Sequence, residues 1–341
     1  MRHNLLSVVF IASLAACSDK TDADFRADVS VAMHASITDD LAGLAQSVRR
    51  LQAAAPNRAW NPVTDAAAIT DMKNAWKSAR IAWEHVEGAI APTFAGFNAS
   101  MDARYEDFLT GLGAAGDDNL FDGTGVVGMH AIERILFAAE IRPEIVAFES
   151  SLPGYKPATY PATSNEAIAF KTQLVQRLID DTTELIDAWQ PADVDIGAAY
   201  VGLVSLMHEQ QEKVNLAVSG EEESRYANVT LFDLRNNLDG TQKVYELFRD
   251  WIHSKSSAEI SDQQIRGKFV FLMESYKSGD SLPDIPKDWS SEHPTQDNLR
   301  TDFGTLWQNI RTSVDLNTQG SVVYEMNRVA TMLGFPEFVD P

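Results

Sequence analysis

The sequence predicts an all-α protein made of two four-helix-bundle-like halves packed together. Three observations carry this expectation. Apolar residues recur three and four positions apart along nearly the whole chain. No run alternates with the period of a strand, and no tight-turn dipeptide separates alternating segments.

The elements follow in order. Phe25, Val29, Met33, Ile37, Leu41, Leu44, Val48 and Leu51 mark a long first helix that stops before Pro56. Ile69, Met72, Trp76, Ala79, Trp83, Val86 and Ile90 mark a second, ended before Pro92. A shorter third covers about 102–112, and a Gly/Asp-rich loop from Gly113 to Gly125 leads to a fourth at about 126–140. After a loop over 151–165, Thr163 and Glu166 form a capping box for a helix with the stripe Ile168, Leu174, Leu178, Leu185 and Trp189. Pro191 ends it. Further helices are expected at 194–218, 224–253, 260–278, 295–313 and 319–333. An N-terminal bundle over 25–190 and a C-terminal bundle over 191–341 then meet near Pro191.

Composition narrows the function. Of 341 residues, 28 are Lys or Arg and 49 are Asp or Glu, a net charge of −21. Such a surface repels nucleic acid and attracts cations. The N-terminus, MRHNLLSVVFIASLAACSDK, reads as an export signal: Arg2 precedes an apolar core too short to span a bilayer. It closes on Leu14-Ala15-Ala16-Cys17, the pattern of a bacterial lipoprotein signal, so residues 1–17 are expected to end in a lipid-bearing Cys17, followed by a tether over 18–24. Cys17 is the sole cysteine, which leaves no internal disulfide. Ser18 in place of Asp favours an outer-membrane anchor facing the periplasm. The expected location is the cell envelope.

The chemistry centres on Gly128-Met129-His130-Ala131-Ile132-Glu133. His130 and Glu133 share a helix face inside an apolar run, where an unpaired carboxylate is costly. Glu87 falls inside the apolar stripe of the second helix, and Asp102 opens the third. Three helices could aim Glu87, Asp102, His130 and Glu133 at one point; one nitrogen and several oxygens suit iron, zinc or manganese. An i,i+3 pair is more often a surface or buried hydrogen bond than a ligand pair, so the residues alone leave both readings open. His208-Glu209-Gln210-Gln211-Glu212 departs from the zincin pattern at its second histidine. Glu221, Glu222 and Glu223 read most simply as a solvated loop at a helix start. No histidine is preceded by Glu at −3, so the ferritin-like di-iron pattern is missing, as are phosphate-loop, Rossmann and Gly-x-Ser-x-Gly motifs.

These residues resemble the imelysin family of exported bacterial helical proteins. Gly128-x-His130-x-x-Glu133 matches its G-x-H-x-x-E. Ala79-Arg80-x-x-Trp83-x-x-Val86-Glu87 is similar to its A-R-x-x-Y-x-x-x-E, with Trp for Tyr. Glu223-Ser224-Arg225-Tyr226, then Thr230, Asp233, Asn237 and Gly240, resembles its second-half signature. Asn228, Val229 and Leu231 stand where the family often has Asp, Asn and His. The resemblance implies two bundles with functional groups near their interface, and a relationship to periplasmic iron-uptake proteins. It implies His130, Glu133, Glu87 and Asp102 as metal ligands, with iron favoured over zinc and a protein partner in iron uptake. A metal-binding lipoprotein of iron uptake or handling is the first expectation. A metallopeptidase is the alternative, and a metal-free module for carbohydrate or another ligand is the third. Peptide hydrolysis needs a free general base, which Glu133 cannot be if it ligates.

Overall fold

The computed structural model describes residues 20–190 and 193–340, and every regular element among them is helical. The expected signal segment, the lipidation site Cys17 and the junction at Pro191 lie outside the described residues.

Helix α1 (Asp22–Ala54) starts three residues earlier than its apolar stripe requires, because Thr21 and Asp24 form a capping box. The Asp24 carboxylate accepts from the Thr21 amide at 2.8 Å, so the expected tether is already helical from Asp22. Val29, Met33, Ile37, Leu41, Leu44, Val48 and Leu51 are buried along one face. That face packs on α2 (Ala66–Glu84) and on α9 (Val175–Trp189), while Trp76 of α2 meets α6 (Gly128–Leu136) by donating to the Met129 carbonyl at 3.0 Å. The capping box at Thr163 and Glu166 opens α8 (Ser164–Ala169), which passes through a π turn at 170–174 into α9.

Helices α10 (Ile196–Leu216), α11 (Thr230–Leu247), α13 (Glu259–Ser275), α14 (Asp302–Val314) and α15 (Val322–Leu333) pack with one another. The buried apolar side chains of the chain form one continuous core, from Val29 to Phe338. Each fully buried Leu, Ile, Val, Phe or Met in it contributes about 1.5–3 kcal/mol. No helix among the described residues is long and apolar enough to cross a membrane.

Several elements differ from expectation for local reasons. The second expected helix is broken: α2 ends at Glu84 and α3 (Glu87–Ile90) restarts after it. A side chain at Gly240 of α11 would overlap the His85 backbone, and one at Gly202 of α10 would overlap the Gly88 carbonyl. The two glycines let α10 and α11 seat backbone to backbone on the α2–α3 junction, which brings their polar residues to Glu84 and Glu87. Two short helices, α4 (Ala95–Met101) and α7 (Pro143–Glu149), sit in stretches to which no element was assigned, α7 with proline at its first position. The segment expected to be helical from 224 is irregular as far as Val229, and Asn228 takes a left-handed φ of 55°. Helices α5 (Tyr105–Leu112) and α12 (Arg249–His253) complete the set.

Candidate metal centre

Six helices and one loop converge on one buried polar cluster. Helix α2 supplies Arg80, Trp83 and Glu84 one turn apart, and α3 opens with Glu87. Asp102 caps the end of α4, and α6 carries His130 and Glu133. Lys213 comes from the last turn of α10, Asp233 and Asn237 from α11, and Glu223 from the loop between those two helices.

Gly128 fixes the approach of α6. Its φ is +86°, and a Cβ there would lie 2.7 Å from both the Ser100 and Met101 carbonyl oxygens. Only glycine combines that backbone with that contact, so the first residue of the motif docks α6 on the end of α4, beside Asp102. Two residues later, His130 is 2% exposed. Its Nδ1 donates to Glu133 Oε2 at 2.8 Å, which orients the ring and leaves Nε2 as the outward nitrogen. Nε2 faces Asp102 Oδ1 at 3.3 Å and Glu223 Oε1 at 3.6 Å but forms no hydrogen bond.

Glu133 is fully buried and committed on both sides. While Oε2 takes the imidazole, Oε1 accepts the backbone amides of Tyr226 at 3.0 Å and Ala227 at 2.8 Å. This explains why the chain is not helical at 224–229: those amides serve a carboxylate on another element instead of a helical ladder. The loop is clamped further by Arg225 on Glu106, Tyr226 on Glu149, and Arg142 on Glu222. Glu222 is buried, and Glu223, at 12% side-chain exposure, looks into the cluster. Of the acidic run expected to be a solvated loop, Glu222 is buried on Arg142 and Glu223 is part of the site. Val229 and Leu231, two of the departures from the family pattern, lie in the core.

Arg80 is the central cation. Its guanidinium pairs with Asp102 and Glu84 and lies 3.4 Å from Glu223 and 3.6 Å from Asp233. Trp83 Nε1 donates to the second Asp102 oxygen at 2.8 Å. Glu87 sits apart from the imidazole: its Oε2 accepts from Asn237 at 3.1 Å and lies 3.9 Å from Lys213. Of the four expected ligands, the structure thus brings Asp102 to His130 Nε2, places Glu133 behind the ring, and sets Glu87 on the wall of the adjoining cleft. That cleft, of about 380 Å³, is walled by Glu87, Asp102, Lys213 and Glu223 together with Glu209 and Glu212. His208 turns the other way, its ring tilted against Phe338 with centroids 5.4 Å apart, so the zincin-like stretch delivers only its carboxylates.

The electrostatics favour an added cation. Glu84, Glu87, Asp102, Glu133, Glu223 and Asp233 share this space with Arg80, Lys213 and His130. Burial pushes Glu87 up to about 7 against the pull of Lys213, and Asp233 up to about 6 against Arg80. Burial also opposes charge on Glu223, yet Lys213, His130 and Arg80 hold it well below the usual carboxylate range. Burial lowers His130, but the acidic groups Asp102, Glu133 and Glu223 outweigh it and hold the ring well above its ordinary value. Acid in surplus is partly neutralised by protons, which a metal ion would replace.

Asp102, His130 and Glu223 each present one donor atom, all within 4.8 Å of one another. Donors bound about 2.0–2.2 Å from one ion lie roughly 3–3.5 Å apart, close to the separations around Nε2. The donor set fits a borderline or hard cation. No spacing in the sequence joins Glu223, Glu84 or Lys213 to His130; the Glu-Ser-Arg-Tyr match is the one signal for Glu223.

Comparison with known proteins agrees with this architecture. A family model of peptidase class, described as imelysin, matches residues 30–281. The chain is 26% identical over 190 residues to the iron uptake system component EfeM of Pseudomonas syringae, covering 56% of this chain and 53% of that protein. It is 31% identical over 109 residues to an Efem/EfeO family lipoprotein of Staphylococcus haemolyticus, covering 32% and 37%. The matches thus span about half the length of the first relative and little more than a third of the second. Among solved structures, an imelysin-like protein from Psychrobacter arcticum superposes with a TM-score of 0.57 at 11% identity, covering 93% of this chain and 98% of that one. The shared property there is the fold.

Proposed function

The chain belongs to the imelysin family, and from that premise we propose that it is a metal-binding protein of the cell envelope, serving iron uptake or handling. The cargo is a metal ion, iron before zinc, held by His130 Nε2, Asp102 and Glu223. Glu133 orients the imidazole, and Glu87 lines the entrance. The observation that carries this reading is the convergence on the buried Nε2 of His130 of two carboxylates that reach it from separate elements. A histidine nitrogen with carboxylate oxygens and no thiolate suits iron, and curated relatives are named for iron uptake. Other relatives are named lipoproteins, which supports anchoring through lipid on Cys17 and access to a protein partner in the same compartment.

The site's own residues account for binding and retention. Asp102 is held in place by Arg80 and Trp83, His130 by Glu133, and Glu133 by two amides. Asp102 and His130 therefore lose little freedom when cargo arrives. Family relationship carries a peptidase classification, but hydrolysis needs a free base. Glu133 is not free, since both its oxygens are engaged.

Metal content of the protein, purified without chelator and dialysed against ferrous or zinc ion, tests the reading. The wild type is expected to retain metal. His130→Ala and Glu223→Gln are expected to bind more than about 100-fold more weakly, since even supporting residues of metal sites cost 10–100-fold. Circular dichroism checks that each variant is folded. Equal loading of folded variants would remove His130 and Glu223 from the site.

A further inference from the structure

The donor set has two positive charges built in beside it: Arg80, which pairs with Asp102 and lies 3.4 Å from Glu223 Oε1, and Lys213 on the far side of Glu223. Lys213 is buried, its side chain 9% exposed, in a cleft otherwise rich in acid. Its ammonium lies 3.0 Å from Glu223 Oε2 and 3.9 Å from Glu87 Oε2, and it donates to Asn237 Oδ1 at 3.2 Å. Glu223 is therefore a shared group. Its Oε1 faces His130 Nε2, the side on which cargo binds, and its Oε2 faces the lysine.

A neutral donor would have sufficed to hold this carboxylate, as Asn237 holds Glu87 at 3.1 Å. A lysine adds a full charge. A cation ligated through Oε1 lies across one carboxyl group from that charge, in a largely buried cluster where repulsion is screened less than in bulk water and grows in proportion to the charge of the cation. The ammonium also has somewhere to go: it ends a flexible four-carbon stem, and Glu87 stands on its other side.

We propose that Lys213 sets the affinity and charge selectivity of this site, its ammonium holding Glu223 and Glu87 in the empty protein, releasing Glu223 toward Glu87 as a cation loads, and keeping binding weak enough for cargo to be passed on. The proposal rests on Asp102, His130 and Glu223 being the donor set. It makes Lys213 a tuning residue: it touches no cargo and acts through Glu223.

The test is affinity of the full chain for zinc ion and for gallium(III), a redox-inert trivalent probe, each measured by competition with a chelator of known strength. Lys213→Met is expected to bind zinc about tenfold tighter than wild type, and gallium tighter by a larger factor, because the repulsion removed scales with cargo charge. Lys213→Arg, which keeps the charge, is expected to stay close to wild type. A structural lysine predicts the reverse order, with the methionine variant weaker for both ions. Unchanged or weakened binding in folded Lys213→Met, or an equal gain for both ions, overturns the proposal. Lys213→Gln replaces Lys213→Met if the latter does not fold, and failure of both to fold assigns the lysine to structure and also overturns it. Absence of binding to either ion in the wild type instead refutes the donor set itself.

Discussion

Replacing Arg80 by leucine is expected to cost about 3–5 kcal/mol of stability, the usual result of stripping one partner from a buried ion pair. The guanidinium is fully buried and faces Asp102, Glu84, Glu223 and Asp233. Without it these carboxylates lose their shared cation and must take up protons or water. Urea unfolding measures the loss. Metal binding gives a second readout, since Asp102 is aimed at His130 by its bond to Arg80. Arg80→Lys keeps the charge but cannot fork between Asp102 and Glu84, so it should fall between wild type and leucine. A leucine variant within about 1 kcal/mol of wild type would show that proton uptake alone compensates the cluster.

The second large effect is expected at Gly128. An alanine there must adopt a left-handed backbone, which costs about 1–2 kcal/mol. Its methyl group also presses on the Ser100 and Met101 carbonyl oxygens, and such overpacking typically adds about 1–3 kcal/mol. Because this contact seats α6 beside Asp102, the variant is expected to bind metal more weakly even where it folds. Gly267→Ala in α13 is the control. It has an exposed site with open space around the new methyl group, and a helix-interior Gly→Ala gains about 0.5–1 kcal/mol. If Gly128→Ala unfolds no more easily than wild type, the docking role of that glycine is wrong.

How much of this was legible in sequence differs from residue to residue. The long helices were legible because their stripes have helical period: every apolar position named for α1 from Val29 onward is buried. The capping box at Thr163 is a local pattern and was found where expected. The break between α2 and α3 was not legible, since it accompanies the approach of Gly240 from a helix far along the chain. The irregular segment before Thr230 was hidden for the same reason. Its amides are taken by Glu133, 93 and 94 positions away, and nothing in the local sequence announces that.

The site was half legible. His130 and Glu133 stood out as polar residues in an apolar run, and their spacing matched a hydrogen-bonded pair as well as a ligand pair. In the structure they are hydrogen-bonded, and that bond is what frees Nε2 to face Asp102. Glu223 and Lys213 come from separate elements without a shared period, so no spacing rule could join them. Glu223 was disguised further by two acidic neighbours, of which Glu222 is spent on Arg142.

The most direct measurement is an anomalous-difference map, recorded at the iron absorption edge, from crystals of the protein loaded with iron. A single strong peak bonded to His130 Nε2 and to oxygens of Asp102 and Glu223, with Glu133 still on Nδ1, is the predicted result. A peak elsewhere in the molecule, or an ion bound through Glu133 with Glu223 turned away, would contradict the account.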